Sequence, residues 1–130
     1  MYKRQIQGTL CHLLWADQNW MRRFDPASPA PRAKSNSESP FAYDNWSELV
    51  HDRRATDTAI IGWADRLNPN WLEGDLVFFS GIEQREITLP KWVAVTHFFN
   101  HQTHHRGQVH CMLTQAGVKP ADTDLPFLPK

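Results

Sequence analysis

From Thr9 to Phe24 the stretch TLCHLLWADQNWMRRF sets Leu10, Leu13, Leu14, Trp20, Met21 and Phe24 close to an i, i+3, i+4, i+7 pattern. Apolar residues at that interval line one side of a helix, so an amphipathic helix is predicted. It stops at DPASPAPRAKSNSESP, whose proline, serine and charge predict a surface connection over about 25–43, flexible and with little chemistry. A second stripe, Trp46, Leu49, Val50, Ile60, Ile61, Ala64 and Leu67, predicts a helix from about Trp46 to Leu67. Asp44 or Asn45 would cap it, Glu48 sits in its first turn, and Asn68-Pro69 ends it. The β-rich runs DLVFFS and REITLP, separated by GIEQ, predict a hairpin over about 75–89. A last helix is expected from Pro90, suited to a first helical position, to Gly117, suited to the residue after a helix end. The tail ADTDLPFLPK should pack irregularly along the surface. Helices joined by loops around one hairpin predict a mainly all-α helical bundle.

Composition narrows the partners. At 130 residues the chain is one domain, long enough to bury a core without disulfide or metal. Fourteen basic and fourteen acidic residues leave no net charge and no basic run, which argues against nucleic acid and against an anionic membrane. No apolar run approaches the roughly 18 residues of a membrane helix. Cys11 and Cys111 form no Cys-x-x-Cys pair and read as reduced thiols in a cytoplasmic protein. The opening MYKRQ resembles the translation of a sequencing-library adapter from a GTG start, so residues 1–5 are expected to be a non-native scar and 6–130 the domain.

The chemistry concentrates in THFFNHQTHHRGQVH, residues 96–110, which holds five of the seven histidines. On a helix, imidazoles at i and i+4 sit one above the other and can bind one metal ion, and both His97/His101 and His101/His105 have that spacing. With Ala94, Phe98, Val109, Met112, Leu113 and Ala116 defining the buried direction, His101 and His105 lie at the edge of the apolar face. His97, His104 and Gln108 fall progressively further round, and His110 lies on another side. His101/His105 is therefore the pair that points inward. An open metal site needs a third protein ligand. Outside the segment the histidines are His12 and His51, and Asp or Glu could also serve. His51 flanks an ordinary stripe and is read as a surface residue. His12 faces away from the Leu10/Leu13/Leu14/Met21 stripe, so periodicity does not nominate it. The glutamate of His-Glu-x-x-His proteases, the Glu-x-x-His pairs of di-iron bundles, glycine-rich phosphate loops and the Gly-x-Ser-x-Gly elbow are all missing.

HFFNHQTHHRGQVHCMLTQAG followed by DLPFL, with TLCHLLWADQNW upstream and the GDLVFF…REITLP hairpin between, closely resembles the DinB family of damage-inducible proteins. The resemblance runs from about Ile6 to the end. It implies an up-down-down-up four-helix bundle holding a divalent metal ion with three histidines near one end. Carried over, the ligands are His12, His101 and His105. Family members have a further helix before the stretch that starts at Ile6, so the chain is expected to be a fragment lacking that helix, exposing the apolar surface it would cover and poorly soluble or self-associating. A full-length homodimer is also implied.

Because relatives use low-molecular-weight thiols such as mycothiol or bacillithiol, the resemblance implies a metal-dependent thiol S-transferase or isomerase acting on a small molecule. Asn100, His104, Arg106 and Gln108, with His97, are candidates to support the ligands or touch substrate. A metal-dependent hydrolase, and a non-catalytic dimeric stress protein whose metal fixes helix geometry, are the alternatives. Closure of the site by a fourth protein ligand, with His104 and Asp17 the residues to watch, would favour the non-catalytic reading. Imidazole ligands suit zinc, nickel, copper or iron.

Overall fold

The computed structural model describes residues 2–127, so Met1 of the opening pentapeptide and the end of the tail lie outside the described residues. Three long helices dominate: α1 (Tyr2–Phe24), α2 (Trp46–Arg66) and α3 (Lys91–Gln115). An antiparallel hairpin, β1 (Asp75–Ser80) and β2 (Arg85–Pro90), precedes α3 and pairs Leu76 with Leu89 and Phe78 with Ile87. The mainly helical fold with a hairpin before the last helix is as the pattern predicts. No described helix is long and apolar enough to cross a membrane.

The first helix begins at Tyr2, seven residues before the predicted start at Thr9. Residues 2–5 of it are exposed, which explains why hydrophobic periodicity does not register them. Helix α2 starts where expected, and Asn45 is its cap: the side-chain oxygen accepts from the backbone N–H groups of Ser47 and Glu48 at 2.8 and 3.4 Å. The predicted stripe of α2 is borne out in part: Leu49 is buried and Ile60 and Leu67 pack against the core, whereas Trp46 and Ile61 are exposed, and the buried face also takes in Thr56 and Trp63. Thr56 is polar and so invisible to an apolar count, yet it is fully buried and accepts a hydrogen bond from Gln18 at 3.1 Å. Pro90 serves as the N-cap of α3 and also closes β2. At the other end Gly117 takes φ +84°, and the N–H groups of Gly117 and Val118 donate to the carbonyls of Thr114 and Leu113 at 3.0 Å each. That pairing satisfies the last carbonyls of the helix and needs a left-handed residue, which glycine supplies without strain.

Helix α1 is the central element. One side packs on α2, through Leu14 and Leu49 near the start of α2 and Phe24 and Trp63 near its end, so α1 and α2 run parallel. Another side packs on α3 in the opposite sense, with Phe24 against Phe98 and His12 against His105. The three long helices thus comprise a parallel pair, α1 and α2, with α3 antiparallel to α1. Two parallel helices in succession require the chain to return along the length of the first, about 35 Å for 23 residues. The connection from 25 to 45 does this, and it is tied down on the way. Arg22 donates to the Ser28 carbonyl, Trp15 to the Ala33 carbonyl and Gln7 to the Tyr43 carbonyl. Ser28, Ala33, Ser39 and Tyr43 are buried.

The main core joins Met21 and Phe24 of α1, Trp63 of α2, Leu76 of β1 and Ala94 and Phe98 of α3. A second cluster joins Cys11, Leu14, Tyr43 and Leu49. Further along α3 the cover thins: Val109, Met112 and Leu113 are half-buried and Ala116 is exposed, so the predicted inward face is fully buried only in its first half.

Candidate metal centre

The antiparallel pairing of α1 and α3 that packs Phe24 on Phe98 also brings His12 beside His101 and His105. One turn of α3 separates His101 from His105, and their Nε2 atoms lie 3.2 Å apart. The His12 ring lies 5.5 Å from that of His101 and 4.8 Å from that of His105. Each histidine offers one ring nitrogen, and the three lie within 4.8 Å of one another. No other group of three or more potential ligands occurs among the described residues.

Burial, followed by the neighbouring imidazoles of His105, His12, His97 and His104, lowers the pKa of His101 to about 4. Burial and then His105 lower that of His12. All three rings are half-buried, and at His12 and His101 burial favours the neutral form that a cation requires. The Nδ1 of His101 is buried without a partner. Three imidazoles whose ring nitrogens converge on one point fit a divalent ion of the type that takes nitrogen ligands.

The remaining candidates divide. The His97 ring sits edge-on to Trp20 at 5.1 Å and 5.7 Å from His101, on the outer side of the cluster. His104 is exposed and touches His105 ring to ring at 4.8 Å without joining the group of three. Gln108 accepts from His105 Nδ1 at 2.8 Å. Arg106 turns to the side chain of Gln102 at 3.3 Å, and Asn100 is exposed. Asp17 is fully buried, accepting from Arg53 Nη1 of α2 at 2.7 Å and lying beside Gln102 of α3, and it is not among the three converging ligands. Burial raises its pKa to about 6 against the opposing charge of Arg53. It does not close the site, and neither does His104. His51 is exposed, as the sequence suggests, and Cys111 is exposed as well.

Sequence reasoning missed Ser39. The connection was expected to carry little chemistry, yet its short 3-10 turn, Ser39–Phe41, brings the Ser39 hydroxyl to 2.8 Å from His12 Nδ1. A proline- and serine-rich stretch carries no periodicity that would single out one serine. A cavity of about 1250 Å³ opens beside the cluster, with His12, His105 and Gln108 on one wall and Pro40, Phe41 and Tyr43 on another.

No curated protein and no solved structure matches the chain. The sequence profile of the DinB family matches residues 3–130, nearly the whole length, and the chain belongs to the DinB family.

Proposed function

We propose that His12, His101 and His105 hold a divalent metal ion and that the chain uses it as a metal-dependent enzyme on a small molecule, a thiol S-transferase or isomerase. The observation that carries this reading is the convergence of three ring nitrogens within 4.8 Å, from helices that approach only through the fold. When bound, the ion supplies Lewis acidity that makes a nearby water or thiol easier to deprotonate. The chain's own residues do the rest. His12 and His105 line the cavity, so a small molecule reaches the centre from their side, while Phe41 and Pro40 offer it an apolar wall. No fourth His, Cys, Asp or Glu joins the three among the described residues, which favours an open position over a purely structural ion. Two unpaired cysteines suit a reducing compartment, the cytoplasm. Zinc, nickel and iron all suit the donor set, and a homodimer remains part of the proposal.

Elemental analysis after purification tests the site. The expected result is about one equivalent of metal in the wild type and none in His101→Ala. Unchanged stoichiometric metal in that variant would sink the assignment. Turnover of an electrophile with a low-molecular-weight thiol, lost on chelation and restored by the metal, tests the reaction; turnover of an ester or amide without thiol would favour the hydrolase instead.

A further inference from the structure

A neutral imidazole has one N–H and one lone pair, so whatever holds one nitrogen decides what the other can do. Ser39 is fully buried in the connection between α1 and α2, far from His12 in sequence and adjacent to it in space. Its hydroxyl has a single hydrogen, and that hydrogen is committed: Ser39 Oγ donates to the backbone carbonyl of Asn36 at 2.7 Å. The 2.8 Å contact with His12 Nδ1 therefore runs the other way, with the ring N–H donating and the hydroxyl oxygen accepting.

Resting on the three-histidine reading, we infer that Ser39 is a positioning residue that locks His12 as the Nδ1–H tautomer and so leaves the lone pair for a cation on Nε2.

The same logic holds at His105. The amide oxygen of Gln108 can only accept, so the 2.8 Å contact requires an N–H on His105 Nδ1, and again the lone pair lies on Nε2. Two of the three rings are thus set by partners on different elements, one on α3 itself and one on the connection. The turn that carries Ser39 is in turn held. The Ser39 backbone N–H donates to the carbonyls of Ser35 and Asn36 at 3.1 and 3.3 Å, and the Ala42 N–H donates to the Ser39 carbonyl at 3.3 Å. Gln7 donates to the Tyr43 carbonyl at 2.9 Å, and Tyr43 donates through its hydroxyl to Asp52 at 2.8 Å. The return path of the chain therefore brings an acceptor to a ligand that helix periodicity alone leaves unsupported. Partners of this kind typically contribute about 10–100-fold to metal affinity by fixing ring orientation and tautomer.

The test uses the full chain labelled with ¹⁵N-histidine, metal-free, with long-range ¹H–¹⁵N correlation to read each ring's tautomer. The Nδ1–H form is expected at His12 in the wild type, and a shift toward the Nε2–H form in Ser39→Ala. An Nε2–H ring at His12 in the wild type would overturn the inference. Titration with zinc is expected to show affinity about 10–100-fold weaker in Ser39→Ala. Ser37→Ala, an exposed position of the same segment, is expected to match the wild type. Equal zinc affinity in wild type and Ser39→Ala also overturns the inference while leaving the three-histidine site standing. A wild type that takes up no zinc removes that site, and the tautomer of His12 still decides the role of Ser39. Should Ser39→Ala fail to fold, the wild-type spectrum alone decides it.

Discussion

Helices α1 and α3 meet at two places with nearly the same ring spacing and opposite chemistry. Toward the end of α1, Phe24 lies 5.7 Å from Phe98 and 5.3 Å from Trp63, with Trp71 closing the group at 5.8 Å. Three turns earlier, His12 lies 4.8 Å from His105, which lies 4.4 Å from His101. Stacked and edge-to-face aromatic rings in a dry core are mutually satisfied, and they hold the helices at a fixed separation whether or not anything else is bound. The imidazoles are only partly satisfied by one another, since His101 and His105 share one contact between their Nε2 atoms at 3.2 Å while His101 Nδ1 is buried without a partner. One end sets the distance between the helices, and under the proposed metal site the other puts that distance to chemical use. A site of this kind is therefore legible as a local failure of the packing logic that governs the rest of the pair.

Removing the aromatic side should have the largest effect. Phe98→Ala deletes a fully buried ring from the main core and is expected to cost about 3–5 kcal/mol in urea unfolding, in the presence or absence of metal. Removing a histidine should act only through the ion. Zinc at about a hundred times its dissociation constant is expected to raise wild-type stability by about 2.7 kcal/mol, an increment absent in His101→Ala. If His101→Ala in metal-free buffer lost as much as Phe98→Ala, the histidine end would be core and the contrast would collapse.

A subtler effect separates the two sides of α1 by pH. His101 has a folded pKa of about 4, below the ordinary 6.5, so the unfolded chain takes up the proton first and metal-free stability falls as pH drops from 6.5 toward 4. Asp17 has a folded pKa of about 6, above the ordinary 3.8, so here the folded chain takes up the proton first and stability rises as pH drops through the same window. The two slopes oppose each other. Asp17→Asn, which keeps the shape beside Arg53, Asp57 and Gln102, should therefore steepen the acid loss measured by urea unfolding between pH 6.5 and 4. An unchanged or flatter profile would contradict that balance. The smallest effect is expected at the start of α2, where Asn45→Ala removes the cap at a cost of about 1 kcal/mol and leaves zinc affinity intact.

How much of this was visible in the sequence depended on whether a residue's role left a periodic trace. The hairpin was legible because both strands carry β-favouring runs bounded by turn residues. The last helix ended at Gly117 for a backbone reason that the residue type announces. His101 and His105 were legible as an inward pair because the apolar face of their own helix gives them a direction. His12 was assigned only by family resemblance. Its helix is packed on several sides, so the side opposite the leucine stripe is not solvent but the approach of α3 and the connection, and an amphipathic wheel assumes a single buried face. In α2 the apolar stripe omits Thr56 and Trp63 for a related reason: Thr56 is a polar residue buried by a hydrogen bond, and without it the stripe takes in the exposed Trp46 and Ile61 beside Leu49, Ile60 and Leu67, which pack inward. Ser39 had no trace at all, because its role is set by a turn whose position depends on everything it is tied to.

The parallel run of α1 and α2 also has a consequence for the order of folding. Neighbouring helices that run antiparallel can zip from a short turn, but among the described residues α1 finds its antiparallel partner in α3, with His12 and His101 roughly ninety residues apart along the chain. Closing so long a loop is slow and comes after local structure has formed. The histidine cluster therefore joins residues that only a long loop closure brings together, and the capture of an ion there would report chemically that this contact has been made.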